Sequence, residues 1–364
     1  MPKQKNFEKM SRWSLALFGV ALLAAVVLIA AVISEGFAQW YNATVGAFFR
    51  AVLAHLTSWL PFSLAEILIY CIPLIVILLG VYGYRRRCET WRSTFVYLGS
   101  IVSVFSLFFS LFVFGFGVGY HTATLDKRID LAPVEITAQS LRETAELLTV
   151  EVNALCEGIT YDEDGFSVMP YDRDGMNVAL LAAYEPICDA YPFIQRLNSR
   201  LKPVIASRAM SYTHITGVYT YFTGEANLNV NFPSYSLCYT AAHELAHQRG
   251  IARENEANFV AFLVCSGSDD LYLRYCGYLN LLEYVMNALY SADKEAYRDV
   301  MGMVDERVMN EWRAYDNFFD EYRYSLASEI SDVVNDAYLK LNGNEAGTQS
   351  YGLVAELAVA YFAK

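Results

Sequence analysis

Three uninterrupted apolar runs in the first third of the chain restrict its possible folds more than any other feature. Trp13 to Ser34 is 22 residues without a charge. A second run extends from about Ile67 to Tyr84, and a third, rich in Phe, Val and Leu, from about Thr94 to Tyr120. About 20 apolar residues in a helix suffice to cross the hydrocarbon layer of a bilayer. The spacing therefore predicts three N-terminal transmembrane helices, residues 1–120 forming a membrane anchor and residues 121–364 a second domain. These runs also account for a composition that is 55% hydrophobic with mean hydropathy +0.25, too apolar for an ordinary soluble chain.

Lys3, Lys5, Lys9 and Arg12 precede the first run, and Arg85, Arg86, Arg87 and Arg92 lie around the short connection between the second and third. The longer connection between the first and second holds only Arg50. Positive charge favours the cytoplasmic side, so the N-terminus is expected in the cytoplasm of a multi-pass cell-membrane protein, with the C-terminal domain extracytoplasmic. The first run is long and no clean small-x-small site follows it, which favours an uncleaved helix over a signal peptide. Gly36 to Phe62 mixes aromatics with Arg50 and His55 and fits either an interfacial amphipathic helix or a packed hairpin. Residues 121–364 carry 18 basic against 35 acidic residues. That balance argues against nucleic-acid binding, which needs a basic face. Five of the seven cysteines fall in this domain, with no CxxC spacing and no visible disulfide framework.

Within the acidic domain, residues 243–247 read His-Glu-Leu-Ala-His. On a helix, positions four apart share a face, so His243 and His247 can aim at one ion. Two histidines, a third protein ligand and a water are the ligand set of a catalytic zinc, whose bound water has a pKa near about 7. Glu244 is then the general base. Glu254 and Glu256 compete to be the third ligand; on a regular helix they point about 160° apart, so both are not expected to bind. Glu254 is the expected ligand, with Asn258 four residues on and Glu256 supporting the ligands from behind. Gly250 is placed to end the motif helix and reverse the chain.

Helical spacing recurs at Ile136–Glu157, Met176–Arg200, Leu271–Tyr290, Val304–Tyr324, Ser328–Leu341 and Leu353–Phe362. Just before the motif, Leu228, Val230 and Phe232 alternate with Asn227, Asn229 and Asn231, the period of a strand. Glu225, Asn227 and Asn229 on this segment are candidates to lay out an extended substrate by backbone pairing. An ordinary sheet edge is the alternative. The Gly-rich loop before the last helix brings Tyr351 forward as an oxyanion donor, with His214 as its rival.

The GEANLN strand, the TAAHELAHQRGIARENEANF block, the YLKLNG and SYG tail and the three leading spans together resemble an uncharacterised bacterial membrane-protein family, domain of unknown function 3810, grouped with zincin-like metallopeptidases. The ENEAN element is also similar to the ExxAD element of membrane-associated gluzincins, with Asn258 where that element has its Asp. The resemblance implies a mainly α-helical α+β zincin-like domain with a small sheet beside the HExxH helix. It also implies one zinc ion held by His243, His247 and Glu254, and cleavage of peptide or protein substrates near the membrane. The reading from another class is a catalytically inactive zincin-fold envelope protein that binds or senses a ligand.

Overall fold

The computed structural model describes residues 9–86, 90–341 and 351–363. The chain divides into two compact units, one of Met1–Thr122 with Thr220–Glu225, the other of Ala123–Tyr219 with Ala226–Lys364.

The first unit holds the three apolar helices, Arg12–Ile33, Leu64–Arg86 and Trp91–Gly115, each long and apolar enough to cross a membrane. Local chemistry sets their starts: the Ser11 hydroxyl accepts the Ser14 amide, and Thr90 and Ser93 form a reciprocal capping box. The third helix ends at Gly115, short of Tyr120, and tightens into a 3₁₀ turn over Gly117–His121. Between the first two helices, Glu35–Tyr41 and Ala47–Ser58 form one helical run joined by a π turn at Asn42–Gly46. Arg50 is buried there. Its guanidinium donates to the side-chain and backbone oxygens of Asn42, both at 2.8 Å, and to the Gly115 carbonyl at 3.0 Å. A buried cation needs such partners, and the segment packs inward through Ala38, Tyr41 and Ala54 while Trp40, Phe48, Leu56 and Trp59 stay exposed.

The second unit is mostly helical. Ala138–Cys156 presents Leu141, Ala145, Leu148 and Val152, spaced as one helical face, to a core that Leu279, Leu282 and Val285 of Leu271–Ala292 also enter. Lys294–Met301, Glu306–Phe319, Leu326–Leu341 and Tyr351–Phe362 follow. The helix expected over Met176–Arg200 runs from Arg173 to Ala190, and the last ten residues of that stretch are irregular.

A three-stranded sheet stands beside the motif, with β1 Lys202–Pro203, β2 Gly217–Thr220 and β3 Glu225–Leu228 in the order β1-β3-β2. β1 pairs with β3 in parallel, Lys202 opposite Asn227 and Pro203 opposite Leu228. This corrects the expectation that Glu225, Asn227 and Asn229 lie on a strand open to a substrate. β3 is the central strand and both its edges are taken, so the outer edges of the sheet belong to β1 and β2. The six described cysteines are free thiols.

Candidate metal centre

The HExxH residues lie on the helix Ser234–Gln248, whose Ala241, Ala242, Leu245 and Ala246 are wholly buried. Tyr184 ties this helix down by donating its hydroxyl to the Ala242 carbonyl at 2.5 Å, and Tyr239 reaches the Asn258 carbonyl at 2.6 Å. The helix ends in a Schellman cap, with the Gly250 amide on the His247 carbonyl at 3.0 Å and the Ile251 amide on Ala246 at 3.1 Å. The cap requires a left-handed residue, and Gly250 supplies it at φ +97°.

That cap also orients a ligand. The Ile251 carbonyl, brought round by the turn, lies 2.7 Å from Nδ1 of His247. A carbonyl only accepts, so the proton sits on Nδ1 and the lone pair of Nε2 faces the site. The next helix, Glu254–Ser266, begins four residues after Gly250. Glu254 occupies its first position, where the positive end of the helix dipole favours a carboxylate.

The two carboxylate oxygens of Glu254 lie 3.1 Å from Nε2 of His243 and 3.4 Å from Nε2 of His247. One ligand atom from each residue falls within 4.8 Å of the others, so His243, His247 and Glu254 could hold a metal ion. Lone pairs converging at these distances need a cation among them. A proton is one choice: burial works against charging His247, but the Glu254 carboxylate outweighs it and lifts the imidazole to about 9. Glu254 answers in the opposite sense. Burial would raise its pKa, yet the two imidazoles hold it well below the ordinary carboxylate range. A metal competes with the proton for the same lone pairs.

Glu244 is buried and is not among the three candidate ligands. Burial pushes its carboxyl up to about 7, against the pull of His243 and His247 and of a backbone hydrogen bond from Tyr219, with Glu254 adding to the rise. Among the described residues its Oε2 has no hydrogen-bond partner, and neither has the buried Nδ1 of His243. β2 lies directly over it: a Cβ on Gly217 would stand 2.6 Å from Oε1 of Glu244. Gly217, Tyr219 and Ile251 were not singled out from the sequence, because each acts through its backbone and carries no side-chain signal.

Glu256 turns away from the ligand cluster. Its carboxylate accepts from the Leu125 amide at 3.0 Å and from Arg253 at 2.7 Å, so the choice between the two glutamates falls to Glu254. Asn258 lies one turn beyond Glu254, its carbonyl occupied by Tyr239. His214 is not brought to the cluster: its Nε2 donates to the Tyr322 carbonyl at 2.9 Å and its ring packs on Phe319. Asn227 donates to the Val218 carbonyl, and Asn229 to the Ile215 carbonyl and Ser211, so both brace the sheet and its flanking loop. Glu225 bonds the amides of Leu64 and Ala65. The Gly-rich loop 342–350 and the side chain of Tyr351 lie outside the described residues.

Fold and site define a mostly helical chain with three apolar, membrane-length helices and a two-histidine, one-carboxylate group able to hold a metal. The chain belongs to the family described as protein of unknown function (DUF3810), whose model matches residues 41–359. No curated protein and no solved structure matches it.

Proposed function

We propose that this protein is a membrane-anchored, zinc-dependent metallopeptidase with a zincin-like domain on the extracytoplasmic side. The observation that carries the reading is the spacing of the candidate ligand atoms. Ligands about 2.0–2.1 Å from a tetrahedral zinc stand about 3.3 Å apart; one oxygen of Glu254 stands 3.1 Å from His243 and the other 3.4 Å from His247, and one ligand atom from each residue lies within 4.8 Å of the others. Two nitrogens, one carboxylate and an open position are the donor set of a catalytic site. When bound, zinc would supply Lewis acidity, polarising a carbonyl and making water a nucleophile near neutral pH.

The chain's own residues supply the remaining chemistry. Glu244, raised toward neutrality by burial, is matched to taking a proton from water and returning it to a leaving amine. Its unpartnered Oε2 is the atom for that transfer. The edge of β2 at Gly217–Thr220 offers backbone groups to an extended peptide, and Val218 is exposed there. Anchoring by the apolar helices favours substrates near the bilayer.

The test uses the full-length protein in detergent, measuring bound zinc and cleavage of a broad peptide library. Glu254→Ala is expected to lose the metal, and Glu244→Gln to keep it while losing cleavage. A wild type without zinc sinks the reading. A fully metallated wild type with no cleavage favours the binding or sensing role instead.

A further inference from the structure

We propose that Glu225 is a positioning residue for Glu244, acting through the β2–β3 hairpin; the inference rests on Glu244 being the general base. Thr220–Glu225, the turn of that hairpin, belongs to the unit of the apolar helices. Both carboxylate oxygens of Glu225 are engaged there, Oε1 by the Leu64 amide and Oε2 by the Ala65 amide, each at 3.0 Å. These amides open the second apolar helix and have no partner within it. The positive end of that helix attracts the carboxylate further, and Glu225 is buried.

The rest of the turn is held as firmly. Tyr221 meets Phe112 edge-on at 5.2 Å, and Phe222 meets Phe108 at 5.4 Å. Thr57 donates its hydroxyl to the Thr223 carbonyl at 3.3 Å. Gly224, at φ +70°, presses so closely on the helix Ala47–Ser58 that a Cβ there would stand 2.6 Å from Cβ of Leu53 and 2.7 Å from the Ala54 nitrogen. A turn clamped by two aromatic contacts, a helix cap and a close backbone approach has little freedom to shift.

No linker separates this clamp from the strands. Thr220 ends β2 and Glu225 begins β3. Three residues back along β2 is Gly217, whose backbone covers the Glu244 carboxylate, and between them Tyr219 hydrogen-bonds it. A short extended strand transmits a shift along its axis because each residue spans about 3.3 Å with no slack. Releasing Glu225 therefore loosens the strand over the base, while His243, His247 and Glu254, on helices of their own, keep their geometry.

The experiment compares full-length wild type with Glu225→Gln in detergent micelles, following amide exchange, bound zinc and peptide cleavage. Gln keeps the size but replaces one accepting oxygen with a donor that faces an amide. Exchange at Gly217–Tyr219 is expected to accelerate about fivefold or more, the scale of losing a carboxylate cap. The kcat is expected to fall about tenfold, with KM and bound zinc unchanged. Phe222→Ala, which loosens the same turn without touching the cap, is expected to act in the same direction. Unchanged exchange at Gly217–Tyr219 in both variants, with faster exchange at Thr220–Gly224, overturns the proposal. Exchange is read without turnover, so an inactive wild type refutes the peptidase reading separately from this one.

Discussion

Replacing Gly217 with alanine tests most directly whether β2 pins the base. The added Cβ would lie 2.6 Å from Oε1, 2.7 Å from Cγ and 2.9 Å from Cδ of Glu244. Restoring ordinary carbon contacts needs a displacement of roughly 1 Å. Two parts can move, with different signatures. If the carboxylate swings away, stability changes little, but a catalytic group misplaced by about 1 Å loses on the order of 100-fold in rate. If β2 retreats instead, its hydrogen bond through Tyr219 is lost and overpacking costs about 1–3 kcal/mol. Glu244 is 4% exposed, so neither movement has free space and a mixture of both is expected. Bound zinc is expected to stay at the wild-type level, since the three atoms nearest the new methyl all belong to Glu244. Thermal unfolding and peptide cleavage of the full-length protein, alongside metal analysis, separate the cases. A Gly217→Ala protein with wild-type cleavage and an unchanged Tm would refute the assignment of β2 as the strand that fixes Glu244.

Four further substitutions have distinct outcomes. Glu254→Gln is expected to weaken zinc binding by more than about 100-fold. Glu256→Gln, which strips the charge from a buried partner of Arg253, keeps the zinc but lowers stability by about 3 kcal/mol in denaturant titration; the reverse pattern would exchange the two roles. Gly250→Ala forces a side chain into a left-handed turn at a cost of about 1–2 kcal/mol, visible as a lower Tm together with weaker zinc binding as the Ile251 carbonyl leaves His247. Burial, with Asp316 adding to it, pushes the Glu283 carboxyl up to about 7 from an ordinary 4.5. The folded protein thus holds a proton that the unfolded chain has released, and stability falls as pH rises from about 4.5 to about 7. Glu283→Gln is expected to flatten that slope and gain on the order of 2 kcal/mol above pH 7; an unchanged pH profile of Tm refutes it.

The ligand cluster was legible because its information is local. His243 and His247 share a helical face by spacing alone, Gly250 signals the reversal, and the rotation between Glu254 and Glu256 says that only one of the two faces the histidines. The apolar helices were legible for a related reason, since a bilayer imposes length and composition on each span separately. The sheet was not. β1 is two residues long, too short for any period, so nothing in the sequence said that β3 would acquire a neighbour on that side. Alternation marked Leu228 as strand but could not say which edge stays open. Glu225 falls on the alternating segment that reads as a substrate strand, and nothing local signals its partners Leu64 and Ala65, about 160 residues away. Tyr191–Arg200 kept a helical pattern without a helix, and the chain is held there by other means: the Gln195 amide bonds the Arg249 carbonyl, and Arg249 donates to Leu197 at 2.7 Å.

All three candidate ligands fall between His243 and Glu254. Bringing together groups separated by about ten residues costs little loop-closure entropy and takes about 10–100 ns. Metal capture therefore does not have to wait for the sheet or for the distant helices. If the proposed zinc binds, a nascent chain would need only two turns of helix and one reversal to take it, and the ion would then be a nucleus on which the rest of the domain condenses. Loading would be a step in making the protein rather than a finish applied to it.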